Sequence, residues 1–126
     1  MITLSLDDVI NIHDEILTTE RGSQGYYGND RLGGALGRIE TNVLYGGMDD
    51  LFEVAALYIE AISKGHCFVD ANKRTALTAA STFLELHDVT LKTEKDLAYV
   101  VESFVKNEIN SNDLADILRE MSYFNK

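Results

Sequence analysis

Residues 51–62, LFEVAALYIEAI, limit the fold more than any other stretch of the chain. Wound as a helix they are apolar around most of the circumference, with Leu51, Phe52, Val54, Ala55, Leu57, Tyr58, Ile59 and Ile62. A helix of that kind is stable only when other elements cover it on nearly all sides. Glu53 and Glu60 break the run, so it does not read as a membrane span. The spacing predicts a central helix over about 49–64. The rest of a 126-residue chain is expected to pack around it as one domain, residues 1–126.

Punctuation along the chain points to an all-α fold. There is no proline, and all nine glycines lie between Gly22 and Gly65. Bends therefore belong to the first half, and the chain beyond residue 71 reads as almost unbroken helix. Six helices are predicted. The first, about 5–18, opens on Ser5 and Asp8 in a capping pattern and has Leu6, Val9, Ile10, Ile16 and Leu17 on one face. A Gly- and Tyr-rich loop, TERGSQGYYGN, follows. The second helix, about 30–45, contains Gly33, Gly34 and Gly37, each weakening it by about 1 kcal/mol relative to alanine. Close helix packing would explain them, and Gly46–Gly47 ends the helix. After the central third helix, Gly65 is a natural C-terminal cap. The fourth runs from Asn72 to about 88 with Ala76, Ala79, Ala80, Phe83 and Leu84 inward. A VTLK link leads to a fifth over about 93–106, begun by Thr93, and a sixth over about 112–123. No strand pair is expected.

Charge and cysteine content narrow the function classes. The net charge of −10 argues against a broad basic face for nucleic acid. An anion must then be held by a local cluster, while the acidic surface suits a basic protein partner. The single cysteine, Cys67, excludes an internal disulfide and fits a reducing cytoplasm. MITLSLDDVI lacks a basic n-region and an apolar h-region, so no signal peptide is expected. Neither a membrane nor nucleic acid is an expected partner, and the expected location is cytoplasmic.

The densest local cluster is GHCFVDANKRTALTAA, residues 65–80, at the junction of the two most buried helices. Lys73 and Arg74 fall in the first turn of the fourth helix, where the backbone dipole disfavours cations. With Asn72 as N-cap, the N–H groups of residues 73–75 lack helical partners. Those donors and two cations make an anion site that suits phosphate. His66 is placed to take a proton near neutral pH, and Asp70 to hold Mg²⁺ against phosphates. Phe68 is expected to point inward and pin the loop. The set reads as base, metal ligand and phosphate clamp for phosphoryl or nucleotidyl transfer. By spacing alone, a solvated turn is the simpler reading.

HCFVDANKR resembles the motif of the Fic/Doc family, His-x-Phe-x-(Asp/Glu)-(Gly/Ala)-Asn-x-Arg. Every anchored position is filled, by His66, Phe68, Asp70, Ala71, Asn72 and Arg74. Ala71, Lys73 and the following RTAL look like the Doc branch, the death-on-curing toxins, as does DLFEVAALYIEAISKGH before the motif. The broader Fic pattern has proline, glycine and a second arginine where this chain has Cys67, Lys73 and Leu77. These departures weigh against the Fic orientation of ATP and hence against AMP transfer. The resemblance implies a Fic/Doc-type helical bundle and a protein kinase using ATP and Mg²⁺, whose target is a threonine of elongation factor Tu. It further implies His66 as the base, Asp70 on Mg²⁺, and Asn72, Lys73 and Arg74 on the phosphate chain, with Thr78 touching the nucleotide. It also implies neutralisation by the disordered tail of a small Phd-like antitoxin. An internal inhibitory motif, (Ser/Thr)-x-x-x-Glu-(Gly/Asn), is not matched: Leu86 follows Ser81…Glu85, and Lys95 follows Thr90…Glu94. An adenylyltransferase and a non-catalytic, antitoxin-bound regulator stand as alternatives.

Other polar residues have plainer readings. His13 and His87 read as packed core histidines and Cys67 as a small buried hydrophobe. Tyr26–Tyr27 read as aromatics packed on their own loop. Glu53, if buried, needs an arginine partner such as Arg38 or Arg74. Asp113, Asp116 and Glu120 read as a solvated face.

Overall fold

The computed structural model describes residues 1–19, 29–65, 68, 71–92 and 94–125. Among these residues there are six helices: α1 (Leu6–Thr19), α2 (Asn29–Leu44), α3 (Leu51–Ser63), α4 (Asn72–Leu86), α5 (Glu94–Val105) and α6 (Ser111–Glu120). Two short strands, β1 (Val89–Leu91) and β2 (Ser122–Phe124), pair antiparallel. The Gly- and Tyr-rich stretch with Tyr26–Tyr27, and also His66, Cys67, Asp70 and Thr93, lie outside the described residues. Among the described residues no helix is long and apolar enough to cross a membrane.

The expected central helix is the centre. α3 packs most extensively on α4 and also meets α2, α5 and α6. Phe52, Val54, Ala55, Ala56, Tyr58, Ile59 and Ile62 are all buried. Asp50 begins it, accepting from the N–H groups of Phe52 at 2.8 Å and Glu53 at 3.4 Å. Its other carboxylate oxygen takes Arg119 of α6. Glu53 is exposed rather than buried and has no salt bridge among the described residues, so the expected arginine partner is not found. Its place in the first turn of α3 is favourable for a carboxylate without one.

The cap predicted at the start of α1 recurs as hydrogen bonds. The Ser5 N–H donates to Asp8 at 2.8 Å, and the Asp8 N–H donates to the Ser5 hydroxyl at 3.1 Å. α6 opens on a second reciprocal box, Asn110 with Asp113. The inward stripe of α4 is as expected, with Ala76, Ala79, Ala80, Phe83 and Leu84 fully buried.

Three expectations change. The glycines of α2 do not mark close packing: a Cβ on Gly33 or Gly34 would meet nothing nearer than 3.5 Å, and one on Gly37 nothing within 4 Å. Gly46 marks instead the tight end of the helix, since a Cβ there would lie 2.8 Å from the carbonyl oxygen of Asn42, one turn back in α2. In VTLK, Val89–Leu91 form a strand where a link was expected. Asp88, left-handed at φ 62°, turns the chain after α4, and Val89 and Leu91 then face inward. The sixth helix stops at Glu120, because Ser122–Phe124 pairs with β1, Thr90 opposite Tyr123.

Candidate active site

The motif lies between the end of α3 and the start of α4. It is anchored at three points. Arg31 of α2 donates to the Gly65 carbonyl at 2.8 Å, immediately before His66. A cation at that place also suits the negative end of α3. Phe68 is buried as expected, 1 % exposed, and stacks on His13 of α1 with ring centroids 3.9 Å apart and planes 7° from parallel. His13, 1 % exposed, is the predicted core histidine and so acts at one remove from the motif, by holding Phe68. His87 packs against Phe83 and donates its Nε2–H to the Ile2 carbonyl at 2.9 Å, at the far end of α4.

Asn72 is the third anchor, in a role that differs from the predicted one. It is the first residue of α4, not its N-cap; Ala71 holds the cap position. The Asn72 side chain turns back to Phe68. Its Oδ1 accepts the Phe68 N–H at 3.0 Å, and its Nδ2 donates to the Phe68 carbonyl at 2.9 Å. Both main-chain groups of Phe68 are thus satisfied by one carboxamide. Asn72 braces the motif backbone, and any contact with phosphate must use its remaining hydrogen-bonding capacity.

Ala71 makes the sharp entry into α4. It has φ 64° and ψ 27°, the left-handed conformation, which an L-residue adopts at about 1–2 kcal/mol. Glycine would adopt the same conformation without that cost. The first main-chain bond of α4 runs from the Thr75 N–H to the Ala71 carbonyl at 2.9 Å. The N–H groups of residues 72–74 therefore precede the ladder, one residue earlier than predicted.

Lys73 and Arg74 both lie exposed in the first turn. The Lys73 ammonium is 2.5 Å from the Glu102 carboxylate of α5, and Lys106 lies 3.7 Å from the other oxygen of that carboxylate. Hydrogen bonding from Lys73 holds the Glu102 carboxyl below its usual range. Charge at the positive end of α4 is thus offset by an acid from a neighbouring helix. Thr78, one turn beyond Arg74, is half-buried. Thr75 is fully buried and its hydroxyl has no partner, the single such side-chain atom among the described residues. Sequence reading missed Arg31, Glu102 and Thr75. The first two act across separations of 34 and 29 residues, which no local pattern encodes.

Comparison of the sequence with known proteins bears on the same stretch. The Fic/DOC family model matches residues 3–84, two-thirds of the chain and the whole of the motif. A protein of Escherichia phage P1 named "Protein kinase doc" is 36 % identical over 118 residues, 94 % of each chain. "Toxin Doc" of Mycolicibacterium smegmatis is 32 % identical over 74 residues, 59 % of this chain and 57 % of that one. A helical bundle with the motif braced at Phe68, together with similarity along nearly its whole length, places this chain in the Fic/DOC family, in its Doc branch.

Proposed function

We propose that this chain is a Doc-type toxin, a protein kinase that transfers the γ-phosphoryl group of ATP to a serine or threonine hydroxyl of a translation factor. Elongation factor Tu is the favoured target, and its modification would halt protein synthesis. The observation that carries the reading is the complete motif His66-x-Phe68-x-Asp70-Ala71-Asn72-x-Arg74 at the start of α4, its backbone tied down at Gly65 and Phe68. The phage relative's name, a protein kinase, supports the same chemistry.

Roles follow from chemical type. His66 takes the proton of the target hydroxyl as that oxygen bonds to the γ-phosphorus. The bond from this phosphorus to the β–γ bridging oxygen breaks, and ADP leaves with the electron pair. Lys73, Arg74 and the N–H groups at the start of α4 are suited by charge and by their position at a helix N-terminus to polyphosphate. Asn72 positions the motif, and Thr78, one turn into α4, is assigned to the nucleotide. Asp70 would hold Mg²⁺, which supplies charge neutralisation for the phosphates. Regulation belongs to a small Phd-like antitoxin, whose disordered tail folds onto the toxin and blocks it.

The test uses ATP labelled on its γ-phosphate, Mg²⁺ and elongation factor Tu. Label is expected on the factor with the wild type and lost with His66→Ala. Transfer of label only from the α-phosphate would replace the kinase by an adenylyltransferase. Growth unaffected by the intact protein, with no label moved, would leave a non-catalytic regulator.

A further inference from the structure

The Lys73–Glu102 pair bears on how tightly a nucleotide is held. Lys73 sits one residue into α4, beside the expected phosphate position, yet its ammonium is 2.5 Å from Glu102 of α5. Both side chains are partly exposed, Lys73 at 50 % and Glu102 at 39 %. The Lys73 side chain can therefore exchange partners without unpacking the core. The second oxygen of Glu102 already has Lys106 at 3.7 Å, one turn along α5. If Lys73 moves away, Glu102 keeps a cation beside it. The exchange leaves no carboxylate stranded.

We infer that Glu102 is a positioning residue for Lys73, a carboxylate inside the protein that competes with nucleotide phosphate for the same ammonium. The inference rests on the reading of Lys73 as a phosphate ligand. Glu102 then sets the affinity for a polyphosphate-bearing nucleotide without touching it. Exposed pairs of this kind are weak, so its grip changes nucleotide affinity by about two- to five-fold. The effect falls on binding and not on the chemical step, because Lys73 serves ground state and transition state alike.

The experiment measures the Kd of Mg–ATP by titration calorimetry for the full-length wild type, Glu102→Gln, Lys73→Ala and the double variant. Glu102→Gln is expected to tighten binding by about two- to five-fold and to lower the KM for ATP with kcat unchanged. In the Lys73→Ala background the same change should have no effect. That separates competition for Lys73 from the general removal of a negative charge. Unchanged or weaker binding by Glu102→Gln would overturn the inference. So would an equal tightening in the absence of Lys73. If the wild type and every variant fail to bind ATP, the reading of the site falls, and the inference with it.

Discussion

Replacing Asn72 by alanine removes both hydrogen bonds to Phe68, at 3.0 and 2.9 Å, in a partly buried place. Each bond contributes about 0.5–1.5 kcal/mol net, and the Phe68 N–H and carbonyl are left to find other partners. The loss should total about 1–3 kcal/mol. Unfolding entropy of about 2.1 cal/mol/K per residue, over a chain of this size, converts that to a fall in Tm of about 4–11 °C. Calorimetric melting reads the fall directly. Amide hydrogen exchange gives a local check: the Phe68 N–H should be protected in the wild type and exchange markedly faster in Asn72→Ala. Phosphoryl transfer should drop more than the change in folded fraction allows, since the motif loses its brace while His66, Lys73 and Arg74 remain. A wild-type Tm together with an unchanged Phe68 exchange rate would refute the brace. Asn72 would then have to be assigned to the nucleotide alone.

Two further predictions test the frame around the motif. Ala71→Val forces a β-branched side chain into φ 64° and should destabilise by about 1–3 kcal/mol, whereas Ala71→Gly should melt at or above the wild-type temperature; equal melting of all three would deny the left-handed entry. Tyr58 is fully buried, and its hydroxyl accepts the Leu4 N–H at 2.8 Å. Tyr58→Phe strands that donor and should lower stability by about 1–3 kcal/mol. Burial pushes the Tyr58 phenol above its ordinary value near 10. The unfolded chain then loses this proton first, so stability is intact below about pH 10 and declines as pH rises toward the folded-state value. Urea melts from pH 8 to 11 should show a shallower decline for Tyr58→Phe; identical slopes would mean that Tyr58 does not titrate on unfolding.

Features written in local pattern were legible before any coordinates. The apolar circumference of residues 51–62 foretold a buried α3, and Ser5 with Asp8 foretold the start of α1. The motif itself foretold an inward Phe68, because a large aromatic in a short link between two buried helices has the core within reach. Failures came where the deciding partner is distant or the element too short. Three residues carry too little alternation to separate a strand from a link, so Val89–Leu91 declared itself only through pairing with Ser122–Phe124. Glu53 seemed to need a partner because its helix is apolar nearly all round. One position in the first turn nevertheless faces water. Asn72 has the chemistry of an N-cap, but the left-handed Ala71 moves the helix start back by one residue and frees the carboxamide for Phe68.

The cations at the amino end of α4 now have two physical accounts, and both are needed. A helix that begins Asn-Lys-Arg carries charge against its own dipole. Phosphate would relieve this only while bound, whereas the folded protein must persist without it. Glu102 relieves it without any ligand, from α5, at the ammonium that a phosphate would recruit. A buried partner would have fixed Lys73 permanently; an exposed one, with Lys106 behind it, lets the lysine leave. Asn72, by contrast, is committed to the backbone of Phe68 and cannot move without loosening the motif. The start of α4 therefore divides its labour between neighbours in sequence: residue 72 fixes the backbone of the motif, and residue 73 is held only by an exposed pair.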